Sequence, residues 1–195
     1  MPKPHLWLLA GPNGSGKSTY FTRYLKDRIA DFVNADLIAA EKGVAVTNEV
    51  AWAAKLAADR KRWQLLEAGV SFCSETVFSH QSWLRFIATA SERGYHVTLV
   101  FVCLDNPELN AARVQYRVEH GGHSVPMDKI EGRYRRALEY CKQAVTMVDS
   151  ALLFDNSDSD RPYRLVACFG NGALLHAASA PLPAWAKDIV APTSP

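Results

Sequence analysis

At 195 residues, 48% apolar and 22% charged, the chain has the composition of an ordinary globular α/β domain and the length for a sizeable core. A net charge of +2 gives no footing for a nucleic-acid or membrane-surface binder, and no apolar run approaches the ~20 residues of a spanning helix. The four cysteines, Cys73, Cys103, Cys141 and Cys168, form no Cys-x-x-Cys pair, which argues against a metal or disulfide framework and for reduced core thiols in a reducing cytoplasm.

The apolar run His5-Leu6-Trp7-Leu8-Leu9-Ala10 has strand length and is too short for a secretory signal. It leads into Gly11-Pro12-Asn13-Gly14-Ser15-Gly16-Lys17-Ser18, a complete G-x-x-x-x-G-K-[ST] match, and Lys17 to Leu25 then reads as a helix. Strand, glycine-rich loop and helix together make a phosphate cradle. The loop glycines let backbone N–H groups turn inward, where they act with the positive end of the helix dipole. In that cradle Lys17 reaches the β- and γ-phosphates of ATP, and the Ser18 hydroxyl takes one position on Mg²⁺.

A short second strand is expected over Asp31–Ala35, ending in Asp36, with a helical turn from Leu37 to Lys42. Thr47 is an N-cap for a helix to about Ala68, with Ala51, Ala54, Leu56, Ala57, Trp63 and Leu66 near helical spacing and Gly69 as its stop. Val70–Ser74 reads as the third strand, with Glu75 and Thr76 at its end. A helix over Ser79–Arg93 carries Trp83, Phe86, Ile87 and Ala90 on one side. Val97–Leu104 is a continuous apolar run, as in a buried parallel strand. Asn106-Pro107 opens a helix to about His120, and another runs from Met127 to about Val148. Ala151–Phe154 is a further strand. Tyr163–Cys168 and Ala173–His176 form a hairpin around Gly170-Asn171-Gly172, and Pro183–Val190 is a terminal helix. Alternating strands and helices give an α/β fold with a parallel sheet of order 2-3-1-4-5, helices on both faces and a C-terminal hairpin extension. With no repeat and no composition break, residues 1–195 read as a single domain.

Ligands of such sheets bind beyond the carboxyl ends of the strands. The chemistry-bearing residues there are the P-loop, Asp36, Glu75-Thr76 and Asp105. Phosphoryl transfer to a hydroxyl needs a carboxylate that takes the hydroxyl proton, and Asp36 fits by type and place, next to Asn34; its competing role is that of a helix cap. Glu75 and Asp105 compete for the carboxylate on the Mg²⁺ side, and Glu75 and Thr76 also suit contacts to the acceptor. Arg113 and Arg117 share one helix face, as do Arg133 and Arg136 on the next. The pairs flank Gly121-Gly122-His123, the layout of a lid that closes positive charge on a phosphoryl group; the competing reading is a solvated basic face.

Taken together, Gly11 to Thr19, Phe32-Val33-Asn34-Ala35-Asp36, Ser74-Glu75-Thr76, Arg113-Val114-x-x-Arg117-Val118-x-x-Gly121-Gly122-His123-x-Val125-Pro126, Ile130-x-x-Arg133-Tyr134-x-Arg136 and Asp155-Asn156-Ser157 resemble the zeta-toxin family of P-loop kinases, and more closely its small bacterial ATPases. The likeness runs from Leu6 to Ser157, and the Arg-Val…Gly-Gly-His-x-Val-Pro segment is its most specific part. It implies a nucleotide-kinase-like core using ATP and Mg²⁺, with phosphorylation of a sugar hydroxyl of UDP-N-acetylglucosamine. By the same resemblance Gly11 to Thr19 bind the nucleotide, Asp36 acts as base, Lys17, Arg117 and Arg133 act on the phosphates, Asn34, Glu75 and Thr76 contact the acceptor, and Ser18 holds the metal. A separate antitoxin protein enters as a partner to consider; a membrane does not, and composition argues against nucleic acid. The rival readings are a kinase of another hydroxyl (an antibiotic, a nucleoside or an RNA end) and a non-catalytic ATP-dependent switch that binds a partner protein.

Overall fold

The computed structural model describes residues 3–41, 47–120, 125–179 and 181–191. A seven-stranded sheet of order β2-β3-β1-β4-β5-β6-β7 forms its centre. The strands are β1 (His5–Ala10), β2 (Phe32–Val33), β3 (Phe72–Thr76), β4 (His96–Cys103), β5 (Ser150–Asp155), β6 (Arg164–Gly170) and β7 (Ala173–Ala177). The first five are parallel in the order expected from the sequence, and β6 and β7 extend the sheet antiparallel. The β6–β7 turn puts Asn171 and Gly172 at φ 47° and 78°. Both left-handed positions suit the primed two-residue turn of a twisted hairpin, which Asn-Gly adopts readily.

Helices cover both faces. Leu6, Leu8, Phe72, Leu99, Phe101 and Leu153 of the sheet are fully buried in a core shared with α4 (Ser82–Glu92), α6 (Met127–Ala144) and α7 (Ala184–Val190). On the other face Leu9, Cys73, Val100 and Val102 meet Tyr20, Phe21, Leu25 and Ile29. Tyr20 closes α1 (Lys17–Tyr20), and the chain continues from it as a single wide π-helical turn, Phe21–Leu25, in which Lys26 N–H donates to the Phe21 carbonyl at 2.9 Å. The helix expected from Lys17 to Leu25 is therefore present with its second half rewound. Phe21 lies flat on Phe32 at a 3.5 Å centroid distance. Cys73, Cys103 and Cys141 are buried free thiols and Cys168 is a half-buried one.

Three boundaries differ from the sequence reading in ways that matter for the site. The second strand stops at Val33, because Asn34 turns to cap α2 (Ala35–Ala40), its side-chain oxygen accepting from Asp36 N–H at 2.7 Å and Leu37 N–H at 3.2 Å. Asp36 thus stands in the first turn of a helix, where its charge suits the dipole, rather than at a strand end. β3 begins and ends later than Val70–Ser74. Val70 N–H still bonds back to Leu65, and Glu75 and Thr76 pair with Leu9 and Ala10 inside the sheet. In α3 (Asn48–Glu67), Thr47 caps Val50 N–H as expected and Ala54, Ala58, Leu65 and Leu66 are buried, but Leu56 and Trp63 face outward. α5 (Pro107–Glu119) starts at Asn106, which accepts from Leu109 N–H at 3.0 Å, and packs on α6 through Ala111, Val114 and Ile130.

Candidate active site

The register of the central strands sets the site. Ala10 lies beside Thr76 on one side and Phe101 on the other, and Cys103 beside Asp155, so the carboxyl ends of β1, β3, β4 and β5 open onto one place. The P-loop crosses that opening. Gly11, at φ +141°, passes so near β4 that a Cβ would stand 2.0 Å from the Val102 carbonyl oxygen. At Gly16, φ +101°, a Cβ would meet Asn156 Nδ2 at 2.5 Å. Side chains are excluded at both positions by conformation and by space. Pro12 and Ser15 are buried, Asn13 and Gly14 half-buried, and Ser18 and Thr19 exposed on the first turn of α1. Ser15 Oγ is fully buried with no hydrogen-bond partner among the described residues.

Lys17, only 6% exposed, donates from Nζ to the Pro12 carbonyl at 3.0 Å and lies 3.9 Å from Glu75 Oε1. Glu75 is itself nearly enclosed. Its Oε2 accepts from Ser18 Oγ at 3.0 Å and from Asn34 Nδ2 at 2.7 Å. Burial pushes the Lys17 ammonium below its ordinary value; the Glu75 and Asp36 carboxylates act against that shift and Arg117 adds to it. Burial likewise raises the Glu75 carboxyl above the usual carboxylate range. Lys17 and the hydrogen bonds from Ser18 and Asn34 resist, and the negative charge of Asp36 reinforces the rise. Asp36 and Arg117, remote in sequence, are therefore both electrostatic neighbours of Lys17. Asp36 is exposed, on the open side of this centre.

The structure separates the two carboxylates that compete for the metal side. Glu75 bonds the hydroxyl of Ser18, whereas Asp105 Oδ1 accepts from Ala184 N–H at the start of α7, 3.3 Å away. The other residues near Glu75 have structural ties as well. Asn34 uses its carbonyl oxygen on the α2 cap and its NH₂ on Glu75. Thr76 Oγ1 accepts from Phe78 N–H at 2.8 Å and holds a turn in which buried Phe78 has φ 59°. A bulky residue in that region is an outlier.

The two arginine pairs divide their work. Arg113 donates to the Asn156 carbonyl at 2.9 Å, and Arg136 to the Ser79 carbonyl at 3.1 Å. Arg133 reaches the P-loop itself, donating to Asn13 Oδ1 at 3.3 Å, and burial lowers its pKa, with Arg136 adding to the shift. Arg117 is exposed within reach of Lys17's field. Gly121, Gly122 and His123, the expected lid tip, lie outside the described residues.

Sequence reasoning gave no role to three residues that hold the loop in shape. Asn156 Nδ2 donates to the Ser15 carbonyl at 2.8 Å, and the Tyr163 hydroxyl to the Gly16 carbonyl at 2.9 Å. Asn110 Nδ2 donates to the Asn13 carbonyl at 2.5 Å. Tyr163 N–H donates in turn to Asn156 Oδ1 at 3.3 Å, and Tyr163 has φ 56°. Three of the loop's carbonyls, those of Asn13, Ser15 and Gly16, are thereby tied to side chains from elsewhere in the chain. The Asp155-Asn156-Ser157 string was the one sequence signal that pointed here.

These residues fit a triphosphate and a hard cation. The loop carries one buried cation, Lys17, and the orphaned Ser15 hydroxyl, and Ser18 and Glu75 supply oxygens of the kind Mg²⁺ takes alongside phosphates and water. Among the described residues no group of three or more His, Cys, Asp or Glu could hold a metal alone.

A Haemophilus influenzae protein described as uncharacterized is 29% identical over 145 residues, covering 69% of this chain and 100% of that one. Among solved structures, a chain of the AvrRxo1-ORF1:-ORF2 complex with ATP superposes at a TM-score of 0.71 with 19% identity, over 99% of this chain and 65% of that chain. The present chain thus spans a little under two thirds of the length of that relative. A chain of the PezAT chromosomal toxin–antitoxin system of Streptococcus pneumoniae superposes at 0.66 with 15% identity, over 86% of this chain and 72% of that one. At such identities the likeness is one of fold. Residues 6–141 match the family model described as an AAA domain, which takes in the P-loop, Glu75 and both arginine helices, and the chain belongs to that family.

Proposed function

We propose that this chain is an ATP-dependent phosphotransferase, a single kinase domain over residues 1–195, whose acceptor is a hydroxyl of a nucleotide sugar such as UDP-N-acetylglucosamine. The observation that carries the reading is the convergence of Lys17, Ser18, Glu75 and Asp36 at the mouth of the P-loop, with Arg133 on the loop and Arg117 beside it. In this reading the loop N–H groups and Lys17 bind the β- and γ-phosphates of ATP. Ser18 and Glu75 would hold Mg²⁺, whose chemistry there is to offset phosphate charge. Asp36 accepts the proton of the acceptor hydroxyl as that oxygen attacks the γ-phosphorus, and ADP leaves. Arg117 and Arg133 stabilise charge on the transferring group. The two solved relatives come from a two-protein complex and from a toxin–antitoxin system; a separate antitoxin for this chain and a cytoplasmic location are part of the same proposal. Among the described residues no helix is long and apolar enough to cross a membrane.

Arg117→Ala and Arg133→Ala are expected to lower transfer more than ATP affinity, because the arginines act on charge redistributed in the transition state. Each single change should cost less than the ~10³–10⁵-fold of a lone arginine finger, and the two should combine non-additively. Single-turnover rates beside calorimetric ATP titrations check this; full activity in both single variants would make the basic pairs a solvated surface. Glu75→Gln is expected to slow transfer, because it removes the carboxylate that accepts from Ser18 and lies beside Lys17; single-turnover rates unchanged from wild type would remove Glu75 from the chemistry.

The acceptor is tested by product mass after incubation with Mg-ATP and a panel of UDP-sugars, nucleosides, aminoglycosides and RNA 5′ ends. The expected result is UDP-N-acetylglucosamine heavier by one phosphoryl group. A carboxylate such as Asp36 suits sugar hydroxyls, and the arginines suit a diphosphate farther out. Phosphate on another panel member alone would keep the kinase and discard the nucleotide sugar.

A further inference from the structure

α3 is a 20-residue surface helix with apolar side chains on two faces. One face is core. The other exposes Trp52 (59%), Leu56 (41%) and Trp63 (40%), and Val70 just beyond the helix end is 38% exposed. Trp52, Leu56 and Trp63 recur at four and seven residues, so they form one outward stripe along a helix about 30 Å long. Trp63 is fixed in place edge-on against Phe86, with ring centroids 5.0 Å apart. Between Leu56 and Trp63 lies a groove of about 370 Å³, lined also by Asp59, Arg60, Gln64 and Glu67. Two exposed tryptophans and a leucine in a row are the composition of an interface centre rather than of a free surface.

The charges along the stripe identify the occupant. Lys55 lies over the Trp52 ring at 5.2 Å, near the N-terminal end. Glu67 stands at the C-terminal end, and Asp59 and Arg60 occupy the middle. Among the described residues Arg60 and Glu67 have no ion-pair partner, while Asp59 pairs with Arg62 and keeps a third of its side chain exposed. The four charges on the stripe sum to zero, so a strongly acidic or basic partner finds no consistent sign. A second α3 laid antiparallel across a two-fold axis between Asp59 and Arg60 does. Asp59 then meets Arg60 of the other copy, Leu56 meets Trp63, and Lys55 comes within one helical turn of Glu67, each contact occurring twice. A parallel copy would set like charge on like. This self-complementarity is what an isologous interface requires.

We propose that α3 is the contact helix of a symmetric, antiparallel dimer of this chain, in which Leu56 of each copy fills the groove beside Trp63 of the other. A single helix pair is a small interface, so the dimer is weak, with a dissociation constant of ~1–100 μM. The inference is independent of the phosphotransfer reading, since no α3 residue belongs to that site.

Sedimentation of the full chain from about 1 to 300 μM tests it, a range that brackets that constant. The expected result is a monomer–dimer equilibrium in which Leu56→Glu raises the dissociation constant at least ~10-fold. Lys55→Glu should weaken the dimer and the double variant Lys55→Glu/Glu67→Lys restore it. Those two positions are twelve residues apart within one helix and meet only across an antiparallel pair, so restoration has no monomer explanation. Should Leu56→Glu fold poorly, Arg60→Cys serves instead: beside the axis it should form a copy-to-copy disulfide on mild oxidation that wild type does not. A chain that stays monomeric throughout, a dimer indifferent to these changes, or a charge swap that fails to restore association would overturn the proposal.

Discussion

Lys17→Ala is expected to remove measurable phosphotransfer and to weaken ATP binding together. Lys17 is the P-loop's one cation, held by the Pro12 carbonyl on one side and Glu75 on the other. Its loss takes away charge both from the ground-state nucleotide and from the transition state. A preorganised donor of this kind is worth ~10²–10³-fold in rate when removed, and the accompanying loss of affinity lowers kcat/KM further. The change has a structural cost as well, because Glu75 would be left enclosed without its cationic neighbour. Lys17→Met removes the same charge but keeps the stem, so it avoids the cavity that Lys17→Ala adds: thermal melting should stay closer to wild type than in Lys17→Ala while transfer is lost. Initial rates and ATP titrations on both variants check the expectation. Turnover near wild type in either would sink the kinase proposal.

Asp36→Asn is expected to lower transfer ~10²–10⁴-fold, the usual worth of a positioned general base, with ATP affinity nearly unchanged. The expectation follows from where the residue stands. Asp36 is exposed on the open side of the Lys17–Glu75 centre and is felt electrostatically by both. Its backbone N–H, not its carboxylate, makes the Asn34 cap bond. The asparagine keeps the size and leaves that cap intact, so a large loss of rate cannot be charged to unfolding of α2. Equal single-turnover rates in the two proteins would reduce Asp36 to a first-turn helix acid and favour the non-catalytic switch.

Much of this site was legible because local rules decide it. Only glycine meets the φ values and the close approaches at Gly11 and Gly16, so the P-loop motif determines its own shape. Apolar runs of strand length placed β1 and β4, and their parallel neighbours followed from the alternation with helices. Thr47, Asn106 and the Asn171-Gly172 turn act within a few residues of themselves and were found where expected. What escaped depends on partners far away in the chain. Asn156 and Tyr163 bond P-loop carbonyls across more than 140 residues, and no spacing announces such a contact. The end of β3 was misplaced because Glu75 and Thr76 are strand residues only by virtue of Leu9 and Ala10 beside them. Asp36 was set at a strand end because Asn34, a better cap two residues earlier, was read as a site residue instead. Leu56 and Trp63 recur near helical spacing with the buried Ala54 and Leu66 yet face outward, because apolar spacing does not say what covers a face.

The central claim is that this chain moves the γ-phosphoryl group of ATP onto a hydroxyl. The most direct test is incubation of the protein with Mg-ATP labelled in the γ-phosphate and a small-molecule extract, followed by separation of the labelled products. The account predicts label on an organic acceptor, present with wild type and lost with Asp36→Asn. Label that stays in ATP, or is released only as inorganic phosphate at equal rates from both proteins, would contradict it.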